Sequence, residues 1–325
     1  MFAEAIEDIL RDRCTPVMVR AIEAGGSPAM LWEALEGAGF LELLAPEDSG
    51  GAGLPLTELF AVLAHFGRYA VPVPAAQAIA ARAAVGAGVQ LPSGMLTIAP
   101  SLQRDAAGGI RCPLVPFGAI AEHVLAADDG RLLLLPCAQA QRRLTGIAHS
   151  QLSTLSWADP AAAEPIRGDA AALMPLAAAV HAALLAGAMT RVFEMTLQYC
   201  NERIQFGKSL GKFQAVQHQL SVMAEQVVAA SIAAEAAFQA EGRVPGLLPA
   251  AMAKARTSEA APGVANAAHA LHGAIGVTEE YDLQLLTRRL HEWRLAHGGE
   301  SHWHRIVGEQ VLAADTTLIA FVRAS

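Results

Sequence analysis

The sequence predicts a mainly α-helical protein that carries a small β-domain in its middle. Alanine dominates the 325 residues, hydrophobic residues make up 53% of them and charged residues only 17%. Alanine-rich stretches with few charges favour helices that pack closely on other helices. Only the centre of the chain departs from this pattern, with short apolar runs between turn residues. We therefore predict an N-terminal helical domain over residues 1–94, a reduced antiparallel β-domain over 95–168 and a C-terminal helical bundle over 169–325.

The N-terminal part contains helical segments separated by clusters of glycine and proline. Glycine and proline interrupt helices because glycine costs backbone entropy and proline lacks the N–H that a helix needs. The predicted helices run from the N-terminus to about Ala24, and then over Ala29–Gly37, Leu56–Ala70 and Ala75–Ala87.

The central part reads as a small antiparallel sheet. Short β-like runs occur at Met95–Ala99, Ala121–Leu125 and Arg131–Leu135. Turn signals lie between them, at Gly108-Gly109 and at Asp128–Gly130. Runs of this length between such turns are typical of short strands.

The C-terminal part shows the clearest helical periodicity. Apolar residues recur at steps of three and four over residues 213–238, which predicts an amphipathic helix that begins near Gln214. A further helix is predicted to begin at Pro245–Pro249.

One segment, residues 171–189, is long and apolar enough to span a bilayer. Nine of its nineteen residues are alanine, and no belt of tryptophan and tyrosine flanks it. These features favour a buried central helix of a soluble bundle, so we expect no membrane association.

Composition also bounds the function. The net charge of −8, with scattered lysine and arginine, argues against nucleic-acid binding. The four cysteines form no CxxC pair, so neither a zinc site nor a disulfide framework is expected. The N-terminal helix lacks the basic and apolar regions of a signal peptide, and a cytoplasmic location is therefore the expectation.

Three ordered motifs carry most of the functional information. The first, Pro46–Leu54, is a glycine-rich acidic loop. The second is Arg203-x-x-Phe206-Gly207-Lys208, followed by a short turn and by Gln214. The third is Leu271–Tyr281, LHGAIGVTEEY, after which Arg288-Arg289 precede a last helix near Glu300. Together they resemble the acyl-CoA dehydrogenase family, flavoenzymes that desaturate acyl-CoA thioesters. The resemblance covers nearly the whole chain, is strongest over about 170–325, and implies a C-terminal four-helix bundle.

The resemblance implies FAD as cofactor and assigns residues to it. In the family the arginine of the second motif meets the FAD diphosphate, the phenylalanine packs against the cofactor and the later glutamine lies near the adenine. The third motif approaches the ADP portion across a subunit interface, which implies at least a dimer. The implied cofactor-binding residues are Arg203, Phe206, Gln214, His272, Gly273 and Gly276. Without the resemblance, Arg203 is a cation at a helix C-terminus, and Phe206 and Gln214 serve core packing and helix initiation.

The catalytic base departs from the family pattern. The family uses a glutamate to remove the α-proton of the thioester, and such a carboxylate needs a dry pocket that raises its pKa. The positions that align with this base are His297 or Gly298, and the alternative position on the long helix is near Ala177; none is acidic. Glu300 is the nearest carboxylate and is the candidate base. The alternative is that Glu300 only stabilises a helix N-terminus.

The central region also lacks the family's segments that contact the flavin ring and thioester. Two functions therefore stay open. The chain is either a self-sufficient FAD-dependent acyl-CoA dehydrogenase or a non-catalytic or half-site subunit of a heteromeric enzyme, similar to the smaller subunits of bacterial two-gene enzymes. In both cases the resemblance implies an acyl-CoA substrate, a homo- or hetero-oligomer (dimer or tetramer), and electron-transfer flavoprotein as the electron acceptor.

Two functions of other classes are the remaining alternatives. His297, Glu300, His302 and His304 form a compact cluster, with Glu300 and His304 at i and i+4, a spacing that suits a metal site in a helical bundle, but the Glu-x-x-His pairs typical of such sites are absent and no metal site is expected. The tryptophan between them favours packing instead. A purely structural helical protein is the other alternative.

Overall fold

The computed structural model describes residues 2–47, 50–317 and 319–321. Its N-terminal helices are α1 (Phe2–Arg13), α2 (Pro16–Glu23), α3 (Ala29–Gly37), α4 (Leu56–Arg68) and α5 (Ala75–Ala84). The single helix predicted to reach Ala24 is wrong, because the chain breaks between α1 and α2. Thr15 caps α2 by accepting a hydrogen bond from the Met18 amide at 3.4 Å, and Pro16 occupies the first helical position. Both are helix-start signals that the sequence displays.

The middle region forms two four-stranded sheets rather than one. Its strands are β1 (Leu96–Ala99), β2 (Gln103–Arg104), β3 (Ile110–Val115), β4 (His123–Asp128), β5 (Arg131–Pro136), β6 (Gln141–Leu144), β7 (Ser153–Trp157) and β8 (Glu164–Ile166). The hydrogen-bonded orders are β1-β4-β5-β8 and β2-β3-β7-β6. The neighbouring strands pair antiparallel, as predicted, except β1 and β4, which run parallel. Residues from both sheets enclose a small core that includes Cys112, Leu135 and Trp157.

The C-terminal region is a helical bundle with a small hairpin. Its elements are α6 (Leu173–Glu202), β9 (Ile204–Gln205), β10 (Lys208–Ser209), α7 (Gln214–Ala236), α8 (Leu247–His272), α9 (Leu283–Leu295) and α10 (Glu300–Ala313). The observed layers confirm the predicted fold class of helices, small β-domain and helical bundle. The exact division at residues 94 and 168 stays a prediction.

Helix α6 is the central rod of this bundle. It is the one described helix with the length and apolar character of a membrane span, and 94% of its most apolar window is buried inside the protein. Two glycines bring it against α4: a Cβ on Gly67 or on Gly187 would overlap a main-chain carbonyl of the facing helix. The apolar segment 171–189 is thus packed against protein, as predicted for a bundle core.

Helix α7 buries one face and exposes three large apolar residues on the other. Its buried residues confirm the predicted periodicity and are Leu220, Met223, Val227, Ala230 and Ala234. Val222, Val228 and Ile232 are exposed, and at 100° per residue they lie on the face opposite the buried one. The same exposed face carries the polar residues Ser221 and Glu225.

Candidate functional site

The hairpin β9–β10 presents Phe206 at its tip. Ile204 pairs with Ser209 and Gln205 with Lys208, so Phe206 and Gly207 form the two-residue turn. Both have positive φ, +51° and +79°, as tight antiparallel hairpins require. Glycine tolerates this conformation, but for phenylalanine it is strained. The fold thus accepts strain to hold a ring that is 92% exposed, which excludes core packing as the role of Phe206.

Arg203 links α6 to this hairpin. Its amide donates to the Tyr199 carbonyl at 2.9 Å, and its carbonyl accepts from the Leu210 amide at 2.9 Å. Its side chain is exposed, and the guanidinium has no ion pair or hydrogen bond with any residue that the structure describes. Two hydrogen bonds therefore fix the backbone of Arg203, while its guanidinium is left without a partner among the described residues.

Residues after the hairpin extend this surface. The Lys208 ammonium lies 4.2 Å from the centre of the Phe213 ring, and the Phe206 and Phe213 rings meet edge to face at 6.3 Å. Gln214, the first residue of α7, is exposed, and its side-chain amide has no hydrogen-bond partner in the described ranges. The hairpin side of the bundle thus offers a free cation, an exposed ring and a free amide.

The turn after α8 lies against the same region. The ring of Tyr199, one turn before Arg203, stacks on the ring of His272 with centroids 4.5 Å apart and planes 26° apart. His272 Nδ1–H donates to the Ala268 carbonyl at 2.8 Å. Its Nε2 atom is buried and has no partner among the described residues. Burial lowers the pKa of His272, so the ring is neutral at pH 7.

Gly273 and Gly276 are glycines for different reasons. Gly273 has φ +65° and ψ −142°, a conformation that side chains avoid, although a Cβ there would meet no atom within 4 Å. At Gly276 a Cβ would come within 2.8 Å of the His272 Cβ. The backbone at Gly273 is therefore open to a ligand, whereas Gly276 closes the turn.

These residues fit the nucleotide part of FAD. A free guanidinium meets the charge of a diphosphate, an exposed ring packs on a flat cofactor, and open backbone at a glycine allows close approach. The predicted residues lie on two segments, 203–214 and 272–276, which the Tyr199–His272 stack joins, and their role toward FAD stays a prediction. They are Arg203, Phe206, Gln214, His272, Gly273 and Gly276. Asp48 and Ser49 of the Pro46–Leu54 motif lie outside the described residues.

A separate cavity of about 670 Å³ lies between the β-domain and the loop that joins α9 to α10. Its size is typical of a small-molecule site. Its apolar walls include Ile98, Leu114, Val115, Ile147, Leu152, Met174 and Leu295, and its titratable groups are Arg288, Arg289, His291, Glu292, His297 and His302. The cavity and the predicted cofactor-binding set share no residue.

Glu292 is the one carboxylate among the described residues that line this cavity. It accepts hydrogen bonds from Ser150 Oγ at 2.9 Å and from Arg289 Nη1 at 3.0 Å. Arg289 also pairs with the buried Glu23 at 3.0 Å, and Arg288 pairs with Glu23 at 2.6 Å. The two arginines and two glutamates balance each other, so no carboxylate stands free. The third sequence motif is followed by Arg288 and Arg289, the two arginines of this network. The (i, i+3) spacing of Arg289 and Glu292 is the sequence signal for their ion pair.

Glu300 does not line the cavity. It forms a two-pronged ion pair with Arg294, in which Arg294 Nε donates to Glu300 Oε2 at 2.9 Å and Nη2 donates to Oε1. The Arg294 hydrogen bond lowers the pKa of Glu300. A catalytic base needs the opposite shift and access to substrate. Glu300 is the first residue of α10, as its alternative role at a helix N-terminus requires, and its carboxylate is paired with Arg294. The role of Glu300 as base stays a prediction.

His297 and Gly298 are the positions that the resemblance aligns with the family's base. His297 and Gly298 line the cavity, with φ of +56° and +105°. The His297 ring packs edge to face on the buried His181 at 4.9 Å. Burial first, then His181 and Lys254, lower the pKa of His297 well below its usual value. At pH 7 the His297 imidazole is therefore neutral, and neither His297 nor Gly298 can act as a carboxylate base.

The cluster of His297, Glu300, His302 and His304 is not arranged as a metal site. The described residues contain no group of three histidine, cysteine, aspartate or glutamate side chains placed to hold a metal ion. Glu300 is engaged by Arg294, and His304 lies 3.9 Å from Glu259 instead. Glu300 and His304 have the (i, i+4) spacing of a metal-binding pair, but the Glu300 carboxylate binds Arg294 instead.

Comparisons with known proteins agree with this architecture. Residues 1–90 match the family described as acyl-CoA dehydrogenase, N-terminal domain, and residues 170–312 match its C-terminal domain. Acyl-CoA dehydrogenase IpdE2 of Mycolicibacterium smegmatis is 30% identical over 303 residues, 90% of this chain and 91% of that protein. The structure is similar to the ChsE4–ChsE5 complex from Mycobacterium tuberculosis, with TM-score 0.82, 22% identity and 97% coverage of each chain. It is also similar to a Tcur3481–Tcur3483 steroid ACAD variant, with TM-score 0.79, 27% identity and coverage of 100% of this chain and 98% of that one.

Proposed function

The chain belongs to the acyl-CoA dehydrogenase family, and on this premise we propose that it is a subunit of an FAD-dependent acyl-CoA dehydrogenase that holds the nucleotide part of FAD at the interface with a partner subunit. The partner supplies the catalytic base and the flavin-ring pocket. The reaction is the α,β-desaturation of an acyl-CoA thioester.

The observation that carries the proposal is the free guanidinium of Arg203. This guanidinium is exposed and has no ion pair among the described residues, and the backbone that carries it is fixed next to a strained exposed ring. The open glycine turn at Gly273 lies beside the same helix end. An anionic, flat ligand that bridges Arg203, Phe206 and the 272–276 turn explains all three features together. The FAD diphosphate and its neighbouring rings have that chemistry.

The residues that line the cavity indicate which subunit supplies the catalytic base. Removal of the α-proton requires a carboxylate that faces the substrate and is not held by a cation. Glu292 is bound by Ser150 and Arg289, and Glu300 is bound by Arg294 outside the cavity. When bound, FAD accepts at its N5 the hydride that leaves the β-carbon. This chain contributes cofactor binding and orientation, and the proton goes to a base of the partner.

Assembly with a partner is supported by three exposed apolar side chains on α7, those of Val222, Val228 and Ile232. One structural neighbour is a complex of two chains, ChsE4 with ChsE5. A hetero-oligomer of two or four chains accounts for both observations. Electron-transfer flavoprotein as acceptor and a cytoplasmic location complete the proposal.

Anaerobic mixing with acyl-CoA tests this function. The purified chain, supplied with FAD, and the co-expressed complex are each mixed with straight-chain and steroid-derived acyl-CoA, and flavin absorbance near 450 nm is followed. The proposal predicts bleaching by a substrate in the complex and none with the chain alone. Bleaching by the isolated chain would instead establish the self-sufficient enzyme, and the Glu300→Gln variant would then show whether Glu300 is its base.

A further inference from the structure

Lys254, on α8, is a fully buried lysine without a carboxylate partner. Its side chain is 0% exposed. The sequence has only three lysines, and the other two, Lys208 and Lys212, are exposed. Lysine is almost never fully buried without a counter-ion, because the ammonium loses its hydration. A buried ammonium at this place therefore calls for an explanation.

The ammonium donates to three oxygen atoms. These are the Ser258 hydroxyl at 2.8 Å, the Arg294 carbonyl at 2.8 Å and the Gly298 carbonyl at 3.1 Å. An ammonium has three N–H groups, so each of them is used. Two of the acceptors are main-chain groups that lie at the ends of one short segment.

That segment, residues 294–298, is named the arch here. The arch continues the end of α9, since the Ala296 amide donates to the Glu292 carbonyl at 3.2 Å. The chain then turns at His297 and Gly298, which both have positive φ. The Gly298 carbonyl also accepts a hydrogen bond from Trp303 Nε1 at 3.0 Å. Residues 295–298 line the cavity. The arch thus forms the cavity wall at the positions that align with the family's base.

We propose that the Lys254 ammonium is a positioning group that holds the arch closed against α8 and so sets the shape of this end of the cavity. The ammonium binds the last carbonyl of the arch and the carbonyl four residues before it. The strained backbone at His297, where φ is +56°, needs such an external constraint to persist. The proposal concerns this chain alone and does not depend on its role toward FAD.

The surroundings of Lys254 make this clamp sensitive to protonation. The charged and titratable groups that face it are His181 on α6, Arg294 on α9, His297 in the arch, and Glu300 and His302 on α10. Glu300 is occupied by Arg294 and lies outside hydrogen-bond reach of the ammonium. Burial lowers the pKa of Lys254 to about 7, with Glu300 opposing and Arg294 adding to the shift. A neutral amine has one N–H fewer, so one of the three hydrogen bonds made by Lys254 is lost as the pH rises.

Selective ¹³C labelling of lysine tests the proposal directly, because the spectrum contains only three side chains. We expect two signals that titrate near the ordinary lysine value and one, from Lys254, that titrates near 7. The amide signal of Gly298 is expected to shift with the same midpoint, while amides of strands β4 and β5 stay still. A Lys254 signal that titrates with the other two, or a Gly298 amide that does not follow it, would overturn the proposal.

Hydrogen exchange of matched variants gives a second test. In Lys254→Met, which keeps the chain length, the Gly298 amide should exchange about tenfold faster, as expected for the loss of hydrogen bonds from a charged donor. Lys212→Met, at an exposed site, should leave it unchanged. Equal exchange in wild type and Lys254→Met would refute the clamp. Should Lys254→Met fail to fold, Ser258→Ala removes one of the three acceptors, and its predicted effect is a smaller acceleration at Gly298.

Discussion

The ring of Tyr199 stacks on the ring of His272 with a centroid separation of 4.5 Å, which joins the end of α6 to the end of α8. The two residues are 73 positions apart in the sequence, yet each lies beside a segment that the sequence motifs assign to the cofactor. The stack therefore holds the Arg203 hairpin and the 272–276 turn in one fixed arrangement. This arrangement is the structural basis of the proposed nucleotide site.

Replacement of Tyr199 tests that coupling. Tyr199→Leu should lower the free energy of unfolding by about 1 kcal/mol, because a stacked aromatic pair is lost. It should also weaken FAD binding by the complex, since the two segments are no longer held together. Tyr199→Phe keeps the ring and should behave like the wild type in urea unfolding and in FAD titration. Equal FAD affinity for the Leu and Phe variants would argue against the coupling.

Arg203→Gln removes the proposed partner of the diphosphate. A charge-assisted hydrogen bond contributes about 1.5–3 kcal/mol, so FAD affinity of the complex should fall roughly 10- to 100-fold. Stability should stay unchanged, because the guanidinium contacts no described residue. Arg143→Gln, at an exposed arginine on β6, is the control. Calorimetric titration with FAD measures both, and an unaltered Kd for Arg203→Gln would remove Arg203 from the site.

Glu300→Gln should leave turnover of the complex unchanged. Glu300 is held by Arg294 outside the cavity, in an ion pair that is partly open to solvent, so its loss should cost about 1 kcal/mol of stability. Steady-state turnover with acyl-CoA checks this. Abolished activity with FAD still bound would restore Glu300 as the base and contradict the assignment of that role to a partner.

The pH dependence of stability should show the buried lysine. The pKa of Lys254 is about 7 in the folded chain, below the ordinary value of about 10.4 that applies when it is unfolded. Between these values the unfolded chain binds more protons, so stability should rise with pH from 7 to 10 by up to about 1.4 kcal/mol per unit. Chemical unfolding at several pH values measures the slope. Lys254→Met should lack this component, and a slope shared by both proteins would assign it to other groups.

Local patterns in the sequence predicted the parts of the fold that depend on neighbours along the chain. The periodicity of residues 213–238 placed the buried face of α7, and the Phe206-Gly207 pair lies at the turn of its hairpin. Thr15-Pro16 is the start signal of α2, but the helical pattern on both sides of it favours a single helix. These features depend on propensity and capping, which a single sequence displays.

Contacts between distant segments were beyond such reasoning. The parallel pairing of β1 with β4 brings together strands that an intervening hairpin separates. Glu23 meets Arg288 across 265 positions, and nothing local marks the contact. Glu300 is the carboxylate nearest the expected position of the base, and nothing local marks its ion pair with Arg294. Partner choice for charges is decided by tertiary geometry, so it could not be predicted from spacing.

The FAD content of the purified complex tests the central claim most directly. The complex is denatured, released FAD is measured by absorbance, and the chains are quantified by amino-acid analysis, alongside the chain purified alone. The account predicts one FAD for every two chains in the complex and a colourless isolated chain. An isolated chain that retains one FAD per chain would contradict it.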